Sequence, residues 1–237
     1  MSDGIKRNDA VFQRFCREVM KKREVPFPLY HGTTKEQLEW TAEERNTYAV
    51  AADTLLKAVS SEDPRLDKSW SLYLDHYRKK DSMYTYDCIF TIDSYYNASR
   101  YATNFHGERI SKAVDLYERV KDALPQEVSA NSQVSDVLEM LWNKKKDGQY
   151  TPVVLRALCR QEDIESYENG KTLDWEMLYR RYLNFGIWFQ QRGFRMSKCF
   201  SFSKFTIVEN CNEERAFCES RIAEMRRLYK QYLAENK

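Results

Sequence analysis

Glycine and proline are scarce in this chain, and their scarcity limits the folds that it can adopt. The 237 residues include 7 glycines and 5 prolines, whereas all-β sandwiches need many tight turns that use these two residues. The patterns G-x-G-x-x-G and G-x-x-x-x-G-K-[ST] are absent, which argues against Rossmann and P-loop enzymes. With 42% hydrophobic residues, the chain can nevertheless bury a sizeable core, as one large domain or two small ones.

Positive and negative charges nearly cancel, which argues against a general nucleic-acid surface. The net charge is +2 with 31% charged residues, so no basic excess favours binding to phosphates. No segment approaches the roughly 20 apolar residues of a membrane span, and the N-terminus does not resemble a signal peptide. The 6 cysteines form neither a C-x-x-C motif nor a zinc spacing. We therefore predict a soluble protein of a reducing compartment, with buried thiols and no metal site.

Apolar residues recur at helical spacing over much of the chain. Thr41 and Glu44 form a capping-box pattern, and Asp93-Ser94 is typical of a helix N-cap. His76 and His106 fall in charged helical surroundings and are interpreted as surface groups. Helices are predicted over residues 9–23, 34–59, 66–78, 110–120, 134–142 and 175–189, and directly after Ser94.

Three segments rich in β-branched and aromatic residues predict strands, at 25–30, 83–92 and 199–208. Residues 153–158 fit either a strand or a helix. Residues 215–218 fit a short strand or the first turns of a C-terminal helix, and we favour helix from about residue 219. The predicted fold class is α+β, in a single domain that spans residues 1–237.

The segment Leu29-Tyr30-His31-Gly32-Thr33-Thr34 carries the clearest chemical signal. The chain contains 3 histidines, and His31 stands between a tyrosine and a glycine. Its imidazole, the close backbone approach that Gly32 permits and the hydroxyl of Thr33 suit a ligand rich in hydroxyls and carboxamide groups. A ligand-binding strand is therefore predicted here.

Two further segments extend this pattern, namely residues 90–102, where a strand runs into a helix, and the late stretch Ser201-Phe202-Ser203 with the glutamates behind it. In this order the segments resemble the layout of the ADP-ribosyltransferase superfamily. The Tyr96-Asn97-Ala98-Ser99 stretch is also similar to bacterial effectors that ADP-ribosylate a threonine of ubiquitin. The resemblance implies a small split antiparallel sheet with large helical insertions. Its catalytic segments would be 25–34, 83–105 and 197–220, and its helical lobe would be formed mainly by 35–80 and 106–195.

The resemblance also implies an activity, mono-ADP-ribosyl transfer from NAD to a protein side chain. We rank Glu219 first as the catalytic carboxylate because a strand at 215–218 would place it at a strand end. The residues expected to bind NAD are Tyr30, His31, Gly32, Thr33 and Tyr101. The catalytic candidates are Glu219, Glu214, Tyr96, Asn97 and Ser99.

By the same resemblance, the chain would be a monomeric virulence effector, secreted into the host cytoplasm without a cleavable signal peptide. It would modify a threonine of ubiquitin and so block ubiquitination, with no membrane, metal or nucleic-acid partner. Two alternatives remain open. One is an all-helical interaction protein without NAD binding, in which the His-Gly-Thr stretch is a turn. The other is an enzyme of the same superfamily that acts on nucleic acid, which needs a basic groove.

Overall fold

The computed structural model describes residues 5, 9–78, 89–186 and 192–236. The chain divides into two compact units, which we call the sheet unit (1–31, 86–99 and 154–237) and the helical unit (32–85 and 100–153). We predicted one domain with residues 106–195 in its helical lobe. Residues 154–195 cluster instead with the sheet unit, because strands in this segment pair with others of the sheet.

Ten α-helices and six strands occur in these ranges, and the α+β class is confirmed. In chain order they are α1 (Ala10–Glu18), β1 (Leu29–Thr34), α2 (Lys35–Glu39), α3 (Ala42–Ala58), α4 (Lys68–Arg78), β2 (Phe90–Ile92), α5 (Tyr95–Ala102), α6 (Glu108–Val120), α7 (Gln126–Ser129), α8 (Ser132–Lys146), β3 (Pro152–Ala157), β4 (Ile164–Tyr167), α9 (Trp175–Phe185), β5 (Gly193–Met196), β6 (Phe205–Val208) and α10 (Cys211–Glu235).

The six strands form one sheet in the order β4-β5-β2-β1-β3-β6. The pairs β1–β2, β2–β5, β4–β5 and β3–β6 are antiparallel. β2 pairs with β5 along its whole length, whereas β1 and β2 meet where Tyr30 lies opposite Ile92. The strand that carries His31 is thus central in the sheet and adjoins the strand that leads into α5.

Side-chain caps fix the starts of several helices. Asp9 accepts hydrogen bonds from the backbone N–H groups of Val11 and Phe12 at the start of α1. The capping box predicted from Thr41 and Glu44 is confirmed at the start of α3. These caps satisfy N–H groups that have no partner within the helix, which is why polar residues occupy these positions.

Each unit has its own apolar core. In the sheet unit, Phe27 of the segment before β1 stacks on Tyr182 of α9 with ring centroids 4.1 Å apart, and Phe194 of β5 lies against the same ring of Phe27. The helical unit buries one face each of α3, α6 and α8, with Leu55, Leu116 and Leu138 inaccessible to solvent. Aromatic rings thus contribute to the core of the sheet unit, and aliphatic side chains to that of the helical unit.

The strand predictions succeed in part. Of the predicted strand 25–30, only the last two residues belong to β1, which extends to Thr34. The ambiguous stretch 153–158 is a strand up to Ala157. Of the predicted strand 83–92, β2 accounts for the last three residues, and 83–88 lie outside the described residues. The predicted strand 199–208 is wrong in its first half, where Phe202–Lys204 form a 3-10 turn and Ser201 accepts a hydrogen bond from the backbone N–H of Ser203. Strands β4 and β5 were not predicted.

The helix predictions need several corrections. The predicted helix 34–59 is two helices, α2 and α3, and Thr34 belongs to β1. The predicted helix 9–23 ends at Glu18 as α1 and is followed by a 3-10 turn at Met20–Lys22. Residues 215–218 belong to α10, which starts at Cys211 because Asn210 caps it, so a strand there is contradicted. α9 ends at Phe185, since Gly186 adopts a left-handed backbone conformation with φ 71° that glycine tolerates without a Cβ clash; residues 187–189 of the predicted helix lie outside the described ranges.

Candidate functional site

His31 is fixed in one orientation by the neighbouring strand. Its Nδ1 lies 2.8 Å from the carbonyl oxygen of Phe90 in β2. Since a carbonyl only accepts hydrogen bonds, Nδ1 must carry a hydrogen. Burial lowers the pKa of His31, although the Phe90 bond opposes this effect, so the ring is neutral near pH 7 and Nε2 carries a lone pair. Across the described ranges, no protein group bonds Nε2.

Two phenylalanines flank the His31 ring. The centroids of Phe202 and Phe205 lie 6.0 and 5.9 Å from that of the imidazole. Both phenylalanines are half-buried, as is His31 itself. The result is an acceptor nitrogen beside two aromatic rings, a combination that suits a ligand with both hydroxyls and a flat ring.

Tyr30 points to the opposite face of β1, because successive side chains of a strand alternate. It is 1% exposed, and its hydroxyl donates a hydrogen bond of 2.5 Å to Oε1 of Glu214. The sulfur of Cys218 lies 2.9 Å from the same hydroxyl. Burial, together with Cys218 and Glu214, raises the pKa of the Tyr30 phenol. Tyr30 is therefore a permanent donor and not a proton-transfer group.

Glu214 is buried in the first turn of α10, where the helix dipole favours a carboxylate. The side chain is 3% exposed, and its Oε2 accepts a hydrogen bond of 2.8 Å from Nη1 of Arg156 in β3. The Arg156 guanidinium also lies 4.1 Å from the centre of the Phe217 ring. Both carboxylate oxygens of Glu214 thus have protein partners, so this residue ties α10 to β1 and β3.

Glu219, the first-ranked carboxylate, is not placed as predicted. It lies in mid-helix and not at a strand end, because 215–218 are part of α10. It lies five positions after Glu214, which turns its side chain about 140° around the helix axis. Glu219 is exposed and pairs with Arg215 at 3.2 Å. The structure brings Glu214 to Tyr30 and leaves Glu219 on another face of the helix.

The α5 candidates lie near the start of their helix. Ser94 caps α5, since its Oγ accepts a hydrogen bond from the backbone N–H of Asn97. Tyr96 is 67% exposed, and the Ser99 hydroxyl donates to the Tyr96 carbonyl at 2.7 Å. The tyrosine that reaches Tyr30 is Tyr95, with ring centroids 5.8 Å apart. The exposed ring of Tyr96 is free of the core and accessible to a ligand.

The other NAD-binding candidates belong to the helical unit. Gly32 continues β1. Thr33 is 2% exposed and donates a hydrogen bond of 2.5 Å to Oε1 of Gln37. Tyr101 is 45% exposed. Thr33 therefore directs its hydroxyl hydrogen to α2, which leaves Tyr101 as the more accessible side chain of the helical-unit candidates.

The interpretation of His106 as a surface group is wrong. It is 2% exposed, its Nδ1 lies 2.7 Å from Oγ1 of Thr34, and its ring packs against Trp40 at 4.6 Å. Its φ of 49° lies in the left-handed region, which non-glycine residues adopt infrequently. Burial lowers the pKa of His106 to about 4. The negative charge of Glu36 opposes this shift, and the positive charge of Lys144 adds to it. His106 is thus a neutral residue that holds the C-terminal end of β1.

Sequence reasoning also missed a buried acid, Asp93. We expected Asp93 to help cap α5, but its side chain is 2% exposed and accepts hydrogen bonds from the Tyr182 hydroxyl and the backbone N–H of Arg192. Arg156, the cation that pairs with Glu214, was missed as well. A charged residue inside the apolar run VVLRAL was the available signal, since buried charges require partners.

Over the described ranges, no three or more His, Cys, Asp or Glu side chains are grouped so that they could bind a metal ion. In the same part of the chain, none of the helices has the length and apolar character needed to cross a lipid bilayer.

Comparison with protein-family models, with curated proteins and with solved structures finds no match to this chain.

Proposed function

We propose that this chain is an NAD-dependent ADP-ribosyltransferase that moves ADP-ribose to a side chain of another protein. The observation that carries the proposal is the fixed imidazole of His31, with Nδ1 bound to the Phe90 carbonyl and Nε2 left as an acceptor. A ribose hydroxyl is a donor of the kind that this nitrogen requires. The function rests on the resemblance of the His-Gly-Thr segment, and the geometry of His31 supports it.

The position of His31 in the sheet agrees with the order of segments on which the resemblance depends. β1 lies beside β2, and β2 runs after two residues into α5. The His31–Phe90 bond joins the His-Gly-Thr strand to the strand that leads to the Tyr96–Ser99 stretch. The all-helical alternative does not fit, because the described residues form a six-stranded sheet.

The surroundings of His31 suit a nucleotide-like ligand. Phe202 and Phe205 present rings within 6.0 Å of the imidazole, and a flat heterocycle packs favourably against such rings, by about 0.5–1.5 kcal/mol for a good pair. In the proposal, Nε2 accepts from a ribose hydroxyl while these rings contact one of the bases. The NAD contacts assigned to Gly32, Thr33 and Tyr101 rest on the resemblance.

In the proposal, Glu214 holds β1 in a fixed position. Its carboxylate is already bonded to Tyr30 and Arg156 on the face of β1 opposite to His31. Glu214 therefore acts as a positioning residue that holds Tyr30, and through the backbone His31, in place. Preorganisation of this kind matters because small displacements of binding groups lower reaction rates strongly.

Cleavage of the glycosidic bond of NAD develops positive charge on the ribose, which a carboxylate stabilises. Glu219 has an exposed carboxylate paired with Arg215, and it remains our candidate for contact with the reacting ribose. Tyr96, Asn97 and Ser99 are proposed to align the acceptor, which the resemblance makes a threonine of ubiquitin. A carboxylate near that hydroxyl would also serve as general base.

A labelling experiment tests the activity. The full chain is incubated with biotin-labelled NAD and purified ubiquitin, and biotin on ubiquitin is followed by blotting and by mass spectrometry of the modified residue. We expect labelling by the wild type, strongly reduced labelling by His31→Ala, and unchanged labelling by His76→Ala, a matched change of an exposed histidine in α4.

The same assay in cell lysate covers other acceptors. A labelled band of another size would keep the transferase and replace ubiquitin as acceptor. Absence of any labelled product, together with the absence of NAD binding, would reject the proposed function. Loss of labelling in Glu219→Gln with NAD binding intact would assign the carboxylate role to Glu219.

A further inference from the structure

A groove on the sheet unit, lined by residues other than His31 and its neighbouring rings, has an apolar floor. It runs between α10 and the segment 20–26, with a volume of about 510 Å³. Phe217, Met225 and Leu228 of α10 and Met20 and Pro26 of the facing segment supply its apolar surface. We call it the α10 groove. A volume of this size accommodates one or two side chains of a bound peptide.

The rim of the α10 groove is positively charged. Lys22 and Arg23 line it and are exposed, and neither has an ion-pair partner in the ranges that the structure describes. Arg160, also on the rim, forms an ion pair with Glu162 alone among the described residues, at 3.9 Å, and both side chains are largely exposed. These cations are thus available to an incoming anion.

The carboxylates of the groove are already neutralised. Glu224 accepts two hydrogen bonds from the Arg227 guanidinium, at 2.7 and 2.8 Å. Glu24 pairs with Arg221 at 3.3 Å. Nε of Arg221 is buried without a hydrogen-bond partner in the described structure, so its guanidinium retains unused donor capacity. The field at the groove is therefore net positive.

We propose that the α10 groove binds an acidic, extended segment of a partner protein, with one apolar side chain seated against the half-buried Leu228. Peptide recognition commonly combines such an apolar anchor with charged contacts at the rim. Charge complementarity selects the acidic partner: Lys22, Arg23 and Arg160 attract carboxylates, while Glu24 and Glu224 have their own cations. The inference does not depend on NAD chemistry.

A nucleic acid fits the groove less well than an acidic peptide. Its apolar floor would oppose the phosphates, since burying a charge without a partner is costly. The ring of Phe217 has Arg156 and Arg221 within 4.1 and 5.9 Å, so it is not an open platform on which bases stack. Binding of an oligonucleotide is therefore an outcome that would contradict the proposal.

Fluorescence anisotropy with a defined probe tests this inference. The probe is a fluorescein-labelled peptide of about twelve residues with Glu and Asp around one central Leu, and we expect a Kd on the order of 10–100 µM at about 0.1 M salt. Three competitors accompany it: the peptide with Ser for Leu, the peptide with Lys for every acid, and an oligothymidylate. We expect the Leu-containing acidic peptide to bind tightest.

Two groove variants and one control locate the binding. Lys22→Glu combined with Arg23→Glu should weaken binding at least about tenfold by charge reversal. Ser220→Trp leaves those cations in place and should weaken binding by filling the groove, which Ser220 lines. Lys171→Glu combined with Lys230→Glu makes the same charge change at exposed positions outside the groove and should change Kd less than about twofold.

Each remaining outcome decides against the proposal. If the Lys peptide or the oligothymidylate binds as tightly as the acidic peptide, the charge argument is wrong. If both groove variants bind the acidic peptide as the wild type does, the site is not the α10 groove. If the control variant loses as much affinity as the double charge reversal, the binding is non-specific. Circular dichroism of each variant establishes that the fold is retained.

Discussion

In the cluster of Tyr30, Glu214 and Arg156, a buried carboxylate connects parts of the fold through hydrogen bonds. Glu214 is 3% exposed, yet its two oxygens have a phenol and a guanidinium as partners, so the cost of its desolvation is offset by charge-assisted hydrogen bonds. The cluster joins the sequence-distant elements β1, β3 and α10. In the proposed function, the cluster acts indirectly, through the position of β1.

Replacement of Glu214 by glutamine should therefore destabilise the fold. The amide keeps the shape but leaves the Arg156 guanidinium without its counter-ion, and we expect a loss of about 1–3 kcal/mol in the free energy of unfolding. Urea denaturation measures this change. Glu219→Gln is the matched control, since its exposed pair with Arg215 should contribute less than about 1 kcal/mol. Equal stability of the two variants would contradict the role assigned to Glu214.

Asp93 makes stability depend on pH. Burial, opposed by hydrogen bonds from Tyr182 and the backbone of Arg192, raises the pKa of Asp93 from 3.8 to about 6. The folded state therefore binds this proton more tightly than the unfolded chain, and the resulting stability is complete below about pH 4 and lost as pH rises through about 6. The full effect is about 2–3 kcal/mol.

The substitution Asp93→Asn should remove this dependence. Its amide oxygen can still accept from Tyr182 or Arg192, but it carries no titratable proton. We expect the free energy of unfolding of the wild type to fall between pH 5 and 7 by more than that of Asp93→Asn. Asp136→Asn, at an exposed position of α8, should follow the wild-type profile. Parallel profiles for all three proteins would show that Asp93 is not the responsible group.

At the scale of elements, local sequence patterns predict the helices better than they predict the strands. The capping box of Thr41 and Glu44 was readable from the sequence because both partners lie within one helical turn. β4 and β5 are four residues each, too short for an alternating pattern to be distinct. They form because β5 pairs with β4 on one side and with β2 on the other. Tertiary pairing of this kind has no local signature.

The start of α10 rests on one side chain. Oδ1 of Asn210 accepts hydrogen bonds from the backbone N–H groups of Asn212 and Glu213, and the turn that follows contains Glu214. We expect Asn210→Ala to lower the free energy of unfolding by about 1 kcal/mol, measured by urea denaturation. Asn212→Ala, two positions further along in the same exposed turn, should cost less than about 0.5 kcal/mol. If Asn212→Ala costs more, Asn210 is not the cap.

At the scale of the whole molecule, the fold class was predictable and the internal organisation of the site was not. The α+β class follows from helical periodicity and a few aromatic, β-branched segments. The partnership of Tyr30 with Glu214 joins residues 184 positions apart, and nothing local to either residue indicates it. The argument that ranked Glu219 before Glu214 is wrong for the same reason, because it depended on a strand at 215–218, and these residues are part of α10.

The central claim is that His31 binds NAD through Nε2. Isothermal titration of NAD into the full chain tests this claim with two variants that separate the ring nitrogens. His31→Asn can still donate to the Phe90 carbonyl but has no acceptor at the Nε2 position, and His31→Gln has an acceptor there but does not reach Phe90. We predict that NAD binds the wild type and that His31→Asn loses at least about tenfold in affinity, the expected effect of one buried hydrogen bond, with His31→Gln retaining more. Absence of NAD binding by the wild type, or equal affinity of wild type and His31→Asn, would contradict the account.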